Sequence, residues 1–188
     1  MSAMLITSVV CLAIVVILVF WFVGTYNGLV RQRNEVRNAW AQIDVQLKRR
    51  HDLIPNLIET VKGYAAHERN TLDSVVQARA RAVSAQSVAE RASAERELGG
   101  ALGRLMLVVE QYPDLKANHN FLALQEELTS TENKIGFARQ YYNDAVMQYN
   151  TRTQSVPTNI VAGMFNFRQE PFFELEEPGA RAVPQVKF

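Results

Sequence analysis

The first 24 residues carry no charged side chain, and twenty of them are apolar. The stretch from Met4 to Val23 contains two polar residues, Thr7 and Ser8. An α-helix of about 20 residues is about 30 Å long, which matches the hydrocarbon thickness of a bilayer. A soluble globule would have to bury this entire segment, so the sequence predicts a transmembrane helix instead of a simple soluble fold.

A cleaved secretory signal is the competing interpretation of an apolar N-terminus. Such signals begin with basic residues and end in small residues at the cleavage site. Here no Lys or Arg precedes the apolar stretch, which ends in the bulky residues Phe20, Trp21 and Phe22. We therefore expect a retained membrane anchor over residues 1–24.

All 39 charged residues lie after residue 30, and the basic residues nearest the anchor are Arg31, Arg33 and Arg37. Because basic flanks stay on the cytoplasmic side, we expect the N-terminus outside and the body of the chain in the cytoplasm. Amphipathic rings are favoured at the level of the lipid headgroups. The predicted membrane-interface residues are therefore Trp21, Tyr26 and the three arginines.

The charge balance and the cysteine count exclude several classes of protein. Twenty basic against nineteen acidic residues leave no excess of positive charge to neutralise phosphates, so no nucleic-acid partner is expected. The single cysteine, Cys11, excludes an intrachain disulfide framework and a multi-cysteine zinc site. His51, His67 and His119 have no second His or Cys at metal-ligand spacing and are expected to be solvated or in turns. The sequence thus predicts no catalytic residues, cofactor or metal site.

Beyond the anchor, apolar residues recur every three or four positions in three stretches, as in amphipathic helices. The stretches are 36–64, about 71–112, and 121–155, of which the third is the most regular. Long amphipathic helices joined by short turns bury their apolar stripes against one another. The predicted fold is all-α, with an N-terminal transmembrane helix followed by an antiparallel bundle of three long helices.

Two features interrupt these helical stretches. Pro55 lies inside the first one, and a proline removes a backbone hydrogen bond, so we expect a bend or a break at 52–55. The second stretch has few large apolar residues over 84–97. This composition favours a solvated turn or a short loop near Gln86 and Ser87.

The last 32 residues hold four of the six prolines and five of the nine phenylalanines. Residues 159–167 are predicted to form a short fourth helix, and the prolines and acidic residues after it favour an extended tail. We expect an anchor at 1–24, a cytoplasmic helical bundle at 25–168 and a tail at 169–188. The tail phenylalanines either cap the bundle or bind a protein partner.

Five residues are candidates for helix packing: Gly24, Gly28, Trp40, Asp44 and Asn56. Gly24 and Gly28 form a Gly-x-x-x-Gly pair, whose small size lets helices approach closely. Trp40 belongs to the apolar seam of the first helix, and the two polar residues lie beside that seam. We expect Asp44 and Asn56 to make a buried hydrogen bond that fixes helix register, and a ligand-binding role is the alternative.

Several strings, in fixed order along nearly the whole chain, resemble the LemA family of bacterial membrane proteins. They are YNGLV at 26–30, AWAQIDVQLKRR at 39–50, DLIPNL at 52–57, VKGY at 61–64, YPDLKAN at 112–118, TENKI at 131–135 and YYN at 141–143. The resemblance implies an N-terminal anchor with the N-terminus outside, followed by an antiparallel helical bundle. It implies no established reaction, cofactor or catalytic residue.

Together these features predict a non-enzymatic scaffold or adaptor that self-associates at the cytoplasmic face of the bacterial inner membrane. Its expected partners are the lipid bilayer, further copies of itself and a protein at the C-terminal tail. Two alternatives stay open: a membrane-shaping assembly, and a metal-dependent regulator whose site forms between chains.

Overall fold

The computed structural model describes residues 2–65 and 67–174. These residues form six helices and contain no strand. The helices are α1 (Ser2–Lys62), α2 (Arg69–Ser84), α3 (Val88–Val109), α4 (Pro113–Lys116), α5 (His119–Gln154) and α6 (Thr158–Met164). The predicted all-α class, with a long apolar helix at the N-terminus, is confirmed.

α1 is a single helix of 61 residues that contains both the apolar segment and the first amphipathic stretch. Pro55 lies inside it, so of the bend or break expected at 52–55 the break does not occur. The side chain of Pro55 is exposed, whereas Ile54 and Leu57 are fully buried. Burial of these neighbours offsets the lost backbone hydrogen bond, because helices in proteins are stabilised mainly by packing of their apolar face.

α1 is also long and apolar enough to cross a membrane, judged by length and composition. None of its most apolar 18-residue window is buried inside the chain. An exposed surface of this kind is unfavourable in water and favourable against lipid tails. The chain therefore carries an N-terminal membrane anchor.

The described residues divide into two compact units. The first unit contains residues 2–41 and Gln140–Glu170, and the second contains Gln42–Arg139 and residues 171–174. The functional division into anchor, body and tail made above stays a prediction.

In the first unit, α1 and α5 run antiparallel. Tyr141 of α5 lies beside Glu35 of α1, and Arg152, three turns further along α5, lies beside Gly28, two turns earlier in α1. The core between them includes Leu29 from α1 and two fully buried or nearly buried tyrosines from α5, which are Tyr142 and Tyr149.

In the second unit, α2 and α3 form a helical hairpin. The connection at 85–87 confirms the loop expected near Gln86 and Ser87. Ser87 caps α3, because its hydroxyl accepts a hydrogen bond from the Glu90 amide (3.1 Å) while the Glu90 carboxylate accepts one from the Ser87 amide (3.2 Å). The second predicted stretch is therefore two helices, and the described residues contain four long helices where three were expected.

The core of the second unit contains residues from α1, α2, α3, α4 and α5. Its fully or nearly buried members are Ile54, Leu57, Val61, Ala65, Leu72, Val75, Ala78, Ala82, Leu98, Ala101, Leu105, Val109, Leu115, Phe121 and Leu128. Of the apolar positions that recur at helical spacing in the sequence, α1 supplies Ile54, Leu57 and Val61 to this core, and α3 supplies Leu98, Leu105 and Val109.

The end of the described chain has two buried and two exposed phenylalanines. Phe167 is buried in the first unit and Phe173 in the second, whereas Phe165 and Phe172 are exposed. Residues 169–174 form neither helix nor strand. The rest of the predicted tail, with Phe188, lies outside the described residues.

Candidate functional site

The end of the apolar segment is packed against residues that follow α6. Phe165 lies with its ring centroid 5.8 Å from Phe22 and 4.8 Å from Tyr26, and the Phe167 ring is 5.7 Å from Tyr26. Arg33 completes this group, with its guanidinium carbon 4.8 Å from the Phe167 ring centroid. We call these five residues the exit cluster.

Asn166 sits between the two phenylalanines and has a positive φ of 56°. Asparagine tolerates this left-handed conformation better than most residues. The turn lets Phe165 and Phe167, which would lie on the same side of an extended strand, contact different parts of α1.

The five predicted membrane-interface residues have different surroundings. Tyr26 and Arg33 are half-buried in the exit cluster, whereas the other three are exposed, namely Trp21, Arg31 and Arg37. A cation over an aromatic face is favourable by roughly 0.5–2 kcal/mol. Arg33 thus packs against Phe167 of its own chain, and the contact of all five residues with lipid stays a prediction.

Gly24 and Gly28 also differ in what surrounds them. A Cβ atom added to Gly28 would lie 2.6 Å from Nη2 of Arg152, so the absence of a side chain makes room for the Arg152 guanidinium. A Cβ atom added to Gly24 would meet no atom of the chain within 4 Å. Gly28 therefore allows close packing of α1 against Arg152 of the same chain. Gly24 has no neighbour of the described chain on the side where a Cβ atom would lie.

Trp40 packs against Tyr142, with ring centroids 5.4 Å apart and planes at 59°. Burial, with a smaller effect of the Glu170 charge, raises the pKa of Tyr142 to about 12. The tyrosine is therefore neutral at physiological pH, and this contact is a packing interaction between α1 and α5.

The buried hydrogen bond expected at Asp44 and Asn56 is wrong, because both residues are exposed. The Asp44 carboxylate instead forms an ion pair with Arg91 of α3. The seam of α1 passes through Ile54 and Leu57, so Asn56 points away from it.

A cluster of buried charges lies in the second unit, and we call it the charge cluster. The Arg50 guanidinium pairs with the Glu95 carboxylate and also with Glu132, at 2.5 Å between Nη1 and Oε2. Nε2 of His51 lies 2.7 Å from Oε1 of Glu95. Arg50, His51 and Glu95 are 4%, 8% and 2% exposed.

The charge cluster holds Glu95 in its ionised form. Burial alone raises the pKa of Glu95, but the hydrogen bond with His51 and the positive charge of Arg50 outweigh it, so the pKa lies below its ordinary value. Arg79 of α2 also donates a hydrogen bond from Nε to the carbonyl oxygen of His51, at 2.7 Å. The cluster thus ties α1 to α2, α3 and α5.

Sequence reasoning missed this cluster and wrongly expected His51 to be solvated or in a turn. The signal was present, since Arg50 occupies a seam position of α1 and a buried arginine requires an acidic partner. Glu95 lies three residues before Leu98, so it falls on the same buried face of α3 as Leu98. The polar composition of 84–97 concealed its burial.

A cavity of about 430 Å³ lies beside the charge cluster. Its lining includes Gly99, Leu102, Gly103 and Met106 of α3, Leu128 of α5, and the paired residues Arg50 and Glu132. Because Arg50 and Glu132 are already paired with each other and Leu102, Met106 and Leu128 supply apolar walls, the cavity suits an apolar group better than an ion.

The buried charged side chains of the charge cluster are engaged in ion pairs. Over 2–65 and 67–174, no three His, Cys, Asp or Glu side chains come together in a way that could hold a metal ion. Within the charge cluster, Arg50 engages both carboxylates, those of Glu95 and Glu132. The cluster thus joins helices by paired charges.

Comparison with known proteins gives consistent matches. The sequence pattern of the LemA family matches residues 39–188. Protein LemA of Metamycoplasma hominis is 31% identical over 160 residues, which cover 84% of this chain and 73% of the relative. Magnetosome protein MamQ 1 of Paramagnetospirillum magneticum is 26% identical over 189 residues, covering 86% of this chain and 70% of the relative. Magnetosome protein MamQ of Magnetospirillum gryphiswaldense is 24% identical over 207 residues, covering 93% and 76%. On the family match over most of its length, this chain belongs to the LemA family.

Proposed function

We propose that this protein is a non-enzymatic scaffold that self-associates at the cytoplasmic face of the bacterial inner membrane. The observation that carries the proposal is the continuity of α1, which includes the apolar anchor and the first bundle helix in one element. A helix without a linker transmits the position of the anchor to the residues that pack on it. This continuity favours a scaffold that holds its copies in a fixed position at a membrane.

The buried interactions support a structural role. The charge cluster joins α1, α3 and α5 through paired side chains, and Arg79 of α2 donates a hydrogen bond to the His51 carbonyl oxygen. Neither the LemA name nor the MamQ name of the relatives states a reaction.

Two exposed surfaces favour self-association as the scaffold's mode of action. Gly24 has open space around it at the end of the anchor. On α5, the large apolar side chains Leu122 and Phe137 are exposed at the two ends of one groove. Burial of such side chains against a second copy would be favourable by roughly 1.5–3 kcal/mol each.

Cross-linking of the full-length protein in native membranes tests self-association. We expect products at multiples of the 21.2 kDa chain as the concentration of a lysine-reactive reagent rises. A single band at the mass of one chain, at all reagent concentrations, would contradict the scaffold.

Orientation is tested with a thiol reagent that does not cross the inner membrane. In a Cys11→Ala background, Leu107→Cys on α3 is expected to react only after the membrane is permeabilised. Met4→Cys, the matched position at the start of the anchor, is expected to react from the periplasmic side without permeabilisation. If Leu107→Cys reacts without permeabilisation and Met4→Cys reacts only after it, the body lies outside the cytoplasm and the proposed orientation is wrong.

A further inference from the structure

α6 has an exposed apolar face that no described residue covers. Val156, Ile160 and Met164 are 80%, 59% and 67% exposed. They are spaced four residues apart, so Ile160 and Met164 share one face of the helix. The other face contains Val161 and Ala162, which are buried.

The position of α6 is fixed by the contacts on both sides of it. Before α6, Arg152 near the end of α5 lies beside Gly28. After α6, Phe165 contacts Phe22 and Tyr26, which lie earlier in α1. Along the axis of α1, α6 therefore lies between the position of Gly28 and the position of Phe22, where the apolar stretch ends.

The depth of this level in the bilayer follows from the length of the apolar stretch. Met4–Val23 is just long enough for the hydrocarbon core at about 1.5 Å per residue. Phe22 then lies at the boundary between lipid tails and headgroups. Its neighbour Phe165, half-exposed at the end of α6, lies at the same depth.

The composition of the segment suits that depth. Residues 153–167 contain no charged side chain, and Arg152 and Arg168 flank them. Apolar side chains at the interface, with basic residues beside them for anionic headgroups, are typical of segments that lie on a membrane surface.

We propose that residues 156–165 form a second membrane contact, in which α6 lies in the bilayer interface beside α1 with Ile160 and Met164 against lipid. Lipid is the occupant because the exposed face continues the surface of the anchor at the depth where that surface meets the headgroups. The protein would then be attached to the membrane at two places in its sequence. The second place begins more than 130 residues after the end of the anchor. This contact rests on the anchor crossing the bilayer and is independent of self-association.

The test uses full-length protein in vesicles with an environment-sensitive fluorophore on one cysteine. In a Cys11→Ala background, Ile160→Cys and Met164→Cys carry the label, and Met147→Cys, an exposed apolar position on α5 of the same unit, is the matched control. Labelled native Cys11 reports on the anchor. We expect lipids with brominated acyl chains to quench the label at positions 11, 160 and 164 at least twofold more strongly than at 147.

Three results would overturn the proposal. Labels at 160 and 164 that respond to aqueous iodide as strongly as the label at 147, with Cys11 still quenched by lipid, would show that α6 faces water. Disulfide cross-links between Ile160→Cys side chains of two copies would show that a second copy covers this face. Loss of lipid quenching at Cys11 as well would contradict the anchor itself.

Discussion

Arg50 of α1 and Glu95 of α3 form an ion pair whose side chains are 5% and 0% exposed. Removing charges from water costs several kcal/mol per ion, and the mutual attraction in the interior offsets this cost only while both partners are present. The pair is therefore a point where a small change in sequence has a large effect on stability. It also makes the packing of α1 on α3 dependent on register.

Replacing Glu95 is expected to destabilise the protein strongly. Glu95→Ala leaves the Arg50 charge buried with Glu132 as its remaining acidic partner, at a cost of about 3–5 kcal/mol in the free energy of unfolding. Denaturant unfolding of the full-length protein in mild detergent measures this change. Glu97→Ala is the control, because Glu97 pairs with Arg81 at the surface and such pairs are worth about 0–1 kcal/mol. Equal effects of the two substitutions would show that the buried pair contributes no more than an exposed one.

The same pair predicts how stability depends on pH. Because the pKa of Glu95 is below its ordinary value of 4.5 in the folded chain, the unfolded chain binds a proton first as the pH falls. The contribution of Glu95 is fully present well above pH 4.5 and is lost as the pH falls through the folded-state pKa. The difference in unfolding free energy between the wild type and Glu95→Gln is therefore expected to shrink on acidification. A difference that stays constant from neutral pH down through this acidic range would contradict the lowered pKa.

Two adjacent phenylalanines give a matched test of the chain after α6. Phe173 is fully buried in the second unit, so Phe173→Ala is expected to cost about 3–5 kcal/mol of unfolding free energy. Phe172 is exposed, and Phe172→Ala is expected to change stability by no more than about 0.5 kcal/mol. Thermal or denaturant unfolding distinguishes the two. If Phe172→Ala instead weakens binding to a captured protein without changing stability, the tail also has a partner.

Gly24 provides a test of packing between copies. Gly24→Leu introduces a side chain where the chain itself has open space, so the helix content measured by circular dichroism should not fall. If two copies approach at Gly24, the added side chain keeps them apart and cross-linked products should decrease severalfold. Val23→Leu places the same leucine side chain one residue earlier, where an exposed apolar side chain is already present, and should leave the products unchanged. If Gly24→Leu leaves cross-linking unaltered, the Gly-x-x-x-Gly pair does not contribute to the interface between copies.

Periodicity predicted the elements well because burial of one face is what holds these helices. In α5, one position in every three or four from 121 to 149 is buried or half-buried, namely Phe121, Leu124, Leu128, Thr131, Ile135, Ala138, Tyr142, Ala145 and Tyr149, of which Leu124 is half-buried. The loop before α3 was also predictable, since Ser87 and Glu90 have the spacing of a capping box. Residues 159–167 were predicted as the fourth helix, and α6 occupies Thr158–Met164.

Pairing between distant polar residues was less predictable. Asp44 and Asn56 lie beside the α1 seam in sequence but point outward, while His51, expected in solvent, is buried against Glu95. One residue of helix changes direction by about 100°, so small errors in the position of a seam move a polar side chain between core and surface. The partner of a buried charge lies on another helix, and periodicity within one helix does not identify it.

The mass of the full-length particle in lipid nanodiscs tests the central claim most directly. A self-associating scaffold predicts particles that contain two or more copies of the 21.2 kDa chain, with the same number over a tenfold dilution. Nanodiscs that contain one copy each, at every concentration and lipid composition tried, would contradict the scaffold and leave a monomeric anchored protein.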